Sequence, residues 1–185
     1  MDTQNNLINA LKDPSKKDEA FNMLLNKYQE KLYWHIRKLI LIHEDTNDVL
    51  QNTFLKIYKG ISSFKQKSSL HTWMYRIAYN ESIDFLNLKK KHLRLSSQEL
   101  NNNILESLEQ DIYFEGDAIQ IQLQQALLTL PEKQRSVFCM RYYDDLKFKE
   151  IAEILNTSEG ALKASYHHAA KKVSQFLIKD PILLT

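Results

Sequence analysis

The chain has 185 residues, enough for one or two domains that each bury a core, and its three glycines and three prolines are too few to turn many strands, which points to an almost wholly helical protein. The net charge of +2 excludes a uniformly acidic or basic chain but hides a strong asymmetry. Residues 1–94 carry 16 Lys and Arg against 10 Asp and Glu, residues 95–118 carry none against six, and residues 119–185 carry nine against seven, a pattern that suits a polyanion partner with a separate role for the acidic middle.

Residues 3–12 have the makings of a short helix, ended by Asp13-Pro14. Ser15 with Asp18 resembles a loose capping box. It opens a long apolar stripe, Phe21, Leu24, Leu25, Tyr28, Leu32, Ile36, Leu39 and Ile40, which predicts an amphipathic helix of about six turns. In HEDTNDVLQNTFLKIYKG, Asp45 or Thr46 is the expected cap of a helix with Val49, Leu50, Thr53, Phe54 and Ile57 on one face, and Gly60 is its expected end. Asp48, Gln51, Asn52 and Leu55 lie off that face. Composition leaves both a solvated surface and a docking surface open for them.

The stretch from Phe64 to Arg94 is the centre of the first half. It begins with a basic polar loop, Lys65, Gln66, Lys67, Ser68 and Ser69, from which Ser can cap a helix. One apolar row follows through Leu70, Trp73, Met74, Ile77, Ala78, Phe85 and Leu88, and a second through Tyr75, Tyr79, Ile83 and Leu86. A helix apolar on two sides is a central one. It ends in Lys89, Lys90, Lys91, His92 and Arg94, which suit its carbonyl end and also phosphate.

Residues 95–117 are acidic, rich in Asn, Ser and Gln, and read as a linker between two domains, 1–94 and 118–185. Ile104, Leu105, Leu108, Ile112, Tyr113 and Phe114 are too many apolar groups for an idle tether, so part of it should pack. In the second domain Ile119, Leu123, Ala126 and Leu127 form a helical face stopped by Leu130-Pro131. Glu132 to Tyr143 makes the next helix. Its Cys139, the only cysteine, is expected to be a small core residue of a chain kept in a reducing compartment. LKFKEIAEILNTSEGALKASYHHAAKKVSQFL then predicts two helices around a turn at Asn156-Thr157-Ser158, a helix-turn-helix arrangement. Phe148, Ile151, Ala152 and Leu155 face inward from the first helix. Leu162, Tyr166, Ala169, Val173 and Phe176 do so from the second. No stretch has the roughly 18 to 20 apolar residues of a membrane span, and the polar N-terminus is no signal peptide. The expectation is a soluble intracellular protein.

The ordered set is more specific than its parts. LLTLPEKQRSVFCMRYYDDLKFKEIAEILNTSEGALKASYHHAAKKV resembles the promoter-reading domain of the bacterial extracytoplasmic-function (ECF) sigma factors. DTNDVLQNTFLKIY resembles that family's polymerase-docking helix, and FKQKSSLHTWMYRIAYNESIDFLNLKKK its promoter-melting helix. The resemblance implies an all-α, two-domain cytoplasmic protein that binds core RNA polymerase and lends it recognition of promoter DNA. It implies that Asp48, Gln51, Asn52, Phe54 and Leu55 hold the polymerase clamp. Lys65, Gln66, Lys67, Ser68, Ser69, Leu70, Trp73, Arg76 and Asn80 would engage the minus-ten element, although the helical spacing of Trp73 favours a core residue over direct stacking on DNA. Lys89, Lys90, Lys91 and Arg94 would grip phosphates just upstream. Ser158, Glu159, Gly160, Lys163, Ala164, His167 and Lys171 would meet the minus-thirty-five element, and the acidic linker would thread the RNA exit path. A cognate anti-sigma factor is a further implied partner; no cofactor, metal, small-molecule substrate or membrane insertion is implied. Several residues depart from the family pattern: Lys147 in place of a capping Ser, Asn52 in place of a common Glu, and Ser165 and His168 in place of frequent Arg.

Two other functions compete. An enzyme lacks its constellation: there is no HExxH, no phosphate-cradling glycine loop and no Cys/His ligand set, adjacent His167 and His168 project apart, and Glu81 with Asp84 lie among apolar residues that predict core partners. A helix-turn-helix regulator acting without replacing the sigma subunit accounts for residues 119–178 but leaves the docking and melting stretches without a role.

Overall fold

The computed structural model describes residues 2–109 and 118–179, which contain nine α-helices, a short 3-10 turn and no strand. The helices are α1 (Asp2–Lys12), α2 (Lys17–Ile40), α3 (His43–Gly60), α4 (Leu70–Leu93), α5 (Ser97–Glu109), α6 (Ala118–Leu128), α7 (Glu132–Tyr142), α8 (Phe148–Leu155) and α9 (Glu159–Lys179).

The stripe of α2 goes into the core as its spacing dictates: Leu24, Leu32, Ile36, Leu39 and Ile40 are all but inaccessible. Its expected capping box is absent. Ser15 donates its hydroxyl to the Asp13 carboxylate at 2.7 Å, Lys16 takes the capping position, and Asp18 accepts instead from the Tyr58 hydroxyl. Helix α3 starts earlier than Asp45 or Thr46. Ile42 stands at its cap, and the Thr46 hydroxyl is turned back onto the Ile42 carbonyl at 2.6 Å. Glu44 and Asp45 fall in the first turn, where carboxylates complement the dipole.

Helix α4 begins after Ser69, whose hydroxyl accepts from the Thr72 N–H at 3.0 Å. Met74, Tyr75, Ala78 and Leu86 are buried on both of its sides. Leu88, expected in that core, is 67% exposed: Leu86 is the buried residue of this turn and Lys89 pairs with Asp45 of α3, which leaves Leu88 facing outward. Asp84 is exposed, and Glu81 pairs with Lys56, so neither has the core partner their surroundings predict.

The acidic middle is no plain tether. Its residues 97–109 form α5, and Leu100 and Ile104 pack with Leu41, Leu86 and Leu128 in a small cluster of their own. Asp111, Ile112, Tyr113, Phe114, Glu115 and Asp117 lie outside the described residues. In the C-terminal half, Ala126, Leu127, Leu130, Phe138, Cys139, Ala169 and Val173 make a second core. Burial pushes the Cys139 thiol up to about 12, so it is an inert small side chain. Between α8 and α9 the chain turns through Asn156 in the left-handed region, φ 48°, which Asn tolerates. Ser158 caps α9 by accepting from the Ala161 N–H. Helix α8 has no side-chain cap at Lys147; the Glu150 carboxylate accepts the Lys147 N–H at 2.9 Å, while Asp145 pairs with Arg141.

The two halves share a core. Val137, Met140, Leu146, Ile151, Ile154 and Leu162 belong to the same buried cluster as Ile36, Leu39, Ile57, Met74 and Ala78. Polar contacts cross the same boundary. Asp144 lies 2.6 Å from both His35 Nδ1 and Lys38 Nζ, with side-chain exposures of 3%, 1% and 18%. Arg76 donates to the Glu153 carbonyl at 2.5 Å.

Candidate nucleic-acid interface and docking groove

Helices α2 and α3 enclose an apolar groove of about 610 Å³ lined by Phe21, Leu25, Leu50, Phe54, Leu55 and Tyr58, with Gln29 and Gln51 at its rim. Phe54 is its floor, 8% exposed, held edge-to-face on Phe21. Phe54 is therefore a packing residue whose ring edges the groove. Leu55, 55% exposed, stands over it, and a large aliphatic group left in water next to an open apolar groove marks a contact surface. Asp48 and Asn52 are exposed on α3 one turn apart, away from the groove lining.

The loop before α4 exposes Lys65, Gln66, Lys67 and Ser69, with Ser68 half-buried and Gln66 at φ 52°. Its root is fixed from below. Phe64 is buried, its carbonyl accepts from Lys12 at 2.7 Å, and its ring lies 4.9 Å from that of Trp73. Trp73 is half-buried and packs against Gly60, where an added Cβ would stand 3.3 Å from the indole, so the core reading of this residue describes its place here. Leu70 is 1% exposed and is core, set beside Met74 by helical spacing. Arg76 faces α8, and Asn80 one turn on is exposed. Of the cations ending α4, Lys89 is paired with Asp45, Lys90 is half-buried, and Lys91 and Arg94 are exposed.

On α9 the burial of Leu162, Ala169 and Val173 turns the opposite face outward. Ser158, Glu159, Gly160, Lys163, Ala164, His167 and Lys171 are all exposed, as is His168, while Ser165 is half-buried. Tyr166 is clamped between Phe138, stacked at 5.7 Å, and Phe148, edge-on at 6.0 Å, which fixes the rotation of α9 on its scaffold. A Cβ built at Gly160 meets nothing within 4 Å.

Residue spacing gave no signal for two features. Burial opposes the charge of Asp144, but the hydrogen bond and charge of His35, with Lys38, outweigh it and hold the carboxyl below its usual range. Arg135 is 94% buried in α7 (6% exposed), and its Nε has no hydrogen-bond partner among the described residues.

Residues 24–92 match the family described as Sigma-70 region 2, and residues 120–173 match Sigma-70, region 4. The ECF RNA polymerase sigma factor SigW of Bacillus subtilis is 30% identical over 176 residues, which cover 90% of this chain and 94% of SigW. The RNA polymerase sigma factor YlaC of the same organism is 29% identical over 170 residues, covering 89% and 95%. Among solved structures, CnrH in complex with the cytosolic domain of CnrY superposes with a TM-score of 0.70 over 97% of this chain and 99% of that one, at 19% identity, and so shares the fold. The sigma factor RpoE in complex with the anti-sigma factor NepR, from Bartonella quintana, gives 0.67 over 86% and 98%, at 18% identity.

Proposed function

The chain belongs to the ECF RNA polymerase sigma factors, and we propose from that premise how its surfaces serve promoter-specific initiation. The protein binds core RNA polymerase and directs it to promoters; it is not itself an enzyme. The observation that carries the assignment of surfaces is that three separate outward faces follow one another along the chain: the α2–α3 groove with Leu55, the basic loop before α4, and the exposed face of α9.

The groove takes the polymerase clamp. Leu55 and Gln51 make its rim contacts, Phe54 shapes its floor, and Asp48 and Asn52 supply polar contacts beside it. The loop 65–69 holds the opened minus-ten strand: Lys65 and Lys67 neutralise phosphate while Gln66, Ser68 and Ser69 offer short polar groups to an unstacked base. Lys91 and Arg94 meet the upstream duplex. The N-terminal part of α9 enters the major groove at the minus-thirty-five element, where Lys163 reaches base edges and Lys171 a phosphate. None of the helices among the described residues is long and apolar enough to cross a membrane, in keeping with a place of action in the cytoplasm. A cognate anti-sigma factor is a further proposed partner, of the kind that RpoE of Bartonella quintana was solved with.

Reconstituted with bacterial core polymerase, the protein should direct run-off transcription from a specific promoter and co-elute with the core. Tight, sequence-specific duplex binding without polymerase, together with failure to capture the core, would establish the rival helix-turn-helix regulator.

A further inference from the structure

A cavity of about 440 Å³ lies where α4, α5, the start of α7 and α9 meet, apart from all three faces above. Arg135 and Lys172 line it against one carboxylate, Glu132, among the described residues. Arg135 is the telling group. It is 6% exposed and borders the cavity, yet its Nε is without a hydrogen bond among the described residues. No ion pair involves it among the described residues. A guanidinium removed from water is normally paired or ligated, because its desolvation is otherwise uncompensated.

A second feature converges on the same space. Helix α7 begins there, with Pro131 and Glu132 in the wall, and Pro131 offers its first N–H groups no capping side chain. An uncapped helix N-terminus favours an anion through those N–H groups and the dipole.

We propose that this cavity binds a small phosphorylated molecule, its phosphate on Arg135 and the start of α7. A planar guanidinium matches phosphate oxygens two at a time, and Lys172 adds a second cation to the same wall. The volume exceeds that of a phosphate ion and falls in the range of small-molecule sites, about 300–1,000 Å³. Leu86, Leu100 and Leu128 supply an apolar wall for the organic portion. Since α4 comes from the first half, α5 from the acidic middle, and α7 and α9 from the second half, an occupant holds the halves together.

The binding claim is independent of the sigma-factor reading and is tested on the full chain without polymerase or DNA. Titration calorimetry and thermal unfolding at constant ionic strength would compare inorganic phosphate, a magnesium-free nucleoside triphosphate and chloride. Both phosphate probes should bind saturably and raise Tm, and chloride should not. Tighter binding of the nucleotide marks an organic phosphate as the ligand; equal affinities mark the phosphate group alone as what is recognised. Arg135→Met, an apolar side chain of similar length, should keep the fold and lose affinity about ten- to a hundredfold. Lys172→Ala, at the exposed mouth, should weaken binding while leaving the phosphate-free Tm unchanged, which keeps the test valid if Arg135→Met misfolds. No saturable binding of either probe, or the same affinity in both variants, overturns the proposal.

Discussion

Gly160 illustrates a residue that its own fold does not require. Its φ is not in the left-handed region, and a methyl there would touch nothing within 4 Å. In a helix Gly is about 0.5–1 kcal/mol worse than Ala, so the missing side chain leaves room for something outside the chain. Gly160→Ala should therefore raise the unfolding free energy by up to about 1 kcal/mol while weakening initiation from minus-thirty-five-dependent promoters. Paired thermal unfolding and transcription assays check this; a variant that gains in both would place DNA elsewhere. The lysines of α9 divide in the same way. Lys163→Ala should change which minus-thirty-five base is preferred, by about 1–3 kcal/mol at one position. Lys171→Ala should weaken all promoters alike and lower the salt slope by roughly one. Point-mutated promoters transcribed across several salt concentrations separate these effects, and identical profiles would refute the division of roles.

At the scale of elements, α3 shows how a helix is both core and surface. Val49, Leu50, Thr53 and Ile57 are buried, while Leu55 projects 55% exposed above the groove. Leu55→Glu should leave the unfolding free energy within about 0.5 kcal/mol of the parent, since an exposed position contributes little to the fold. It should cut capture of core polymerase by tenfold or more, the order expected when a contact residue becomes a buried unpaired charge. Native gel shift with core enzyme reads this directly, and undiminished capture would remove the groove from the docking surface. Elements whose signals are local were legible in the residues: the stripe of α2, the start of α4 at Ser69 and the α8–α9 hairpin follow from period and caps alone. The start of α3 was not, because Thr46, a good cap by type, spends its hydroxyl on Ile42. Leu88 was misplaced because two apolar rows leave open which of them is covered at the end of α4, and there Leu86 is buried while Leu88 faces outward. Helix α5 was hidden by its Asn, Ser and Gln, although the spacing of Leu100 and Ile104 is that of a single buried face. Among the site residues, exposure of the α9 face followed from the stripe opposite it. The turning of Arg76 toward Glu153, 77 residues away, had no local signal.

At the scale of the molecule, the shared core poses a problem of reach. The minus-ten and minus-thirty-five elements are about 25 base pairs apart, or some 85 Å at about 3.4 Å per base pair. A compact chain of this length has a radius of gyration near 16 Å and is only about 40 Å across. One closed molecule cannot touch both elements, so initiation requires the halves to part. One part of their polar fastening is Asp144 with His35 and Lys38, 109 and 106 residues away in sequence and invisible to any reading of spacing. Because the Asp144 carboxyl is held below its usual value near 3.8, its contribution to closure is present above that pH and is lost as pH falls through the lower folded value. Through Asp144, then, closure is unaffected near neutral pH. Asp144→Ala removes the anion and leaves His35 and Lys38 facing a void at the boundary, a change of the kind that costs about 3–5 kcal/mol for a buried pair. Helix content should persist, since α2, α3 and α4 still pack on one another in the first half and the second half keeps its own cluster around Phe138 and Ala169. The radius of gyration from small-angle scattering should rise, and core polymerase should bind more tightly because less free energy opposes opening. An unchanged radius together with unchanged or weaker polymerase binding would show that the Asp144 cluster does not hold the two halves closed.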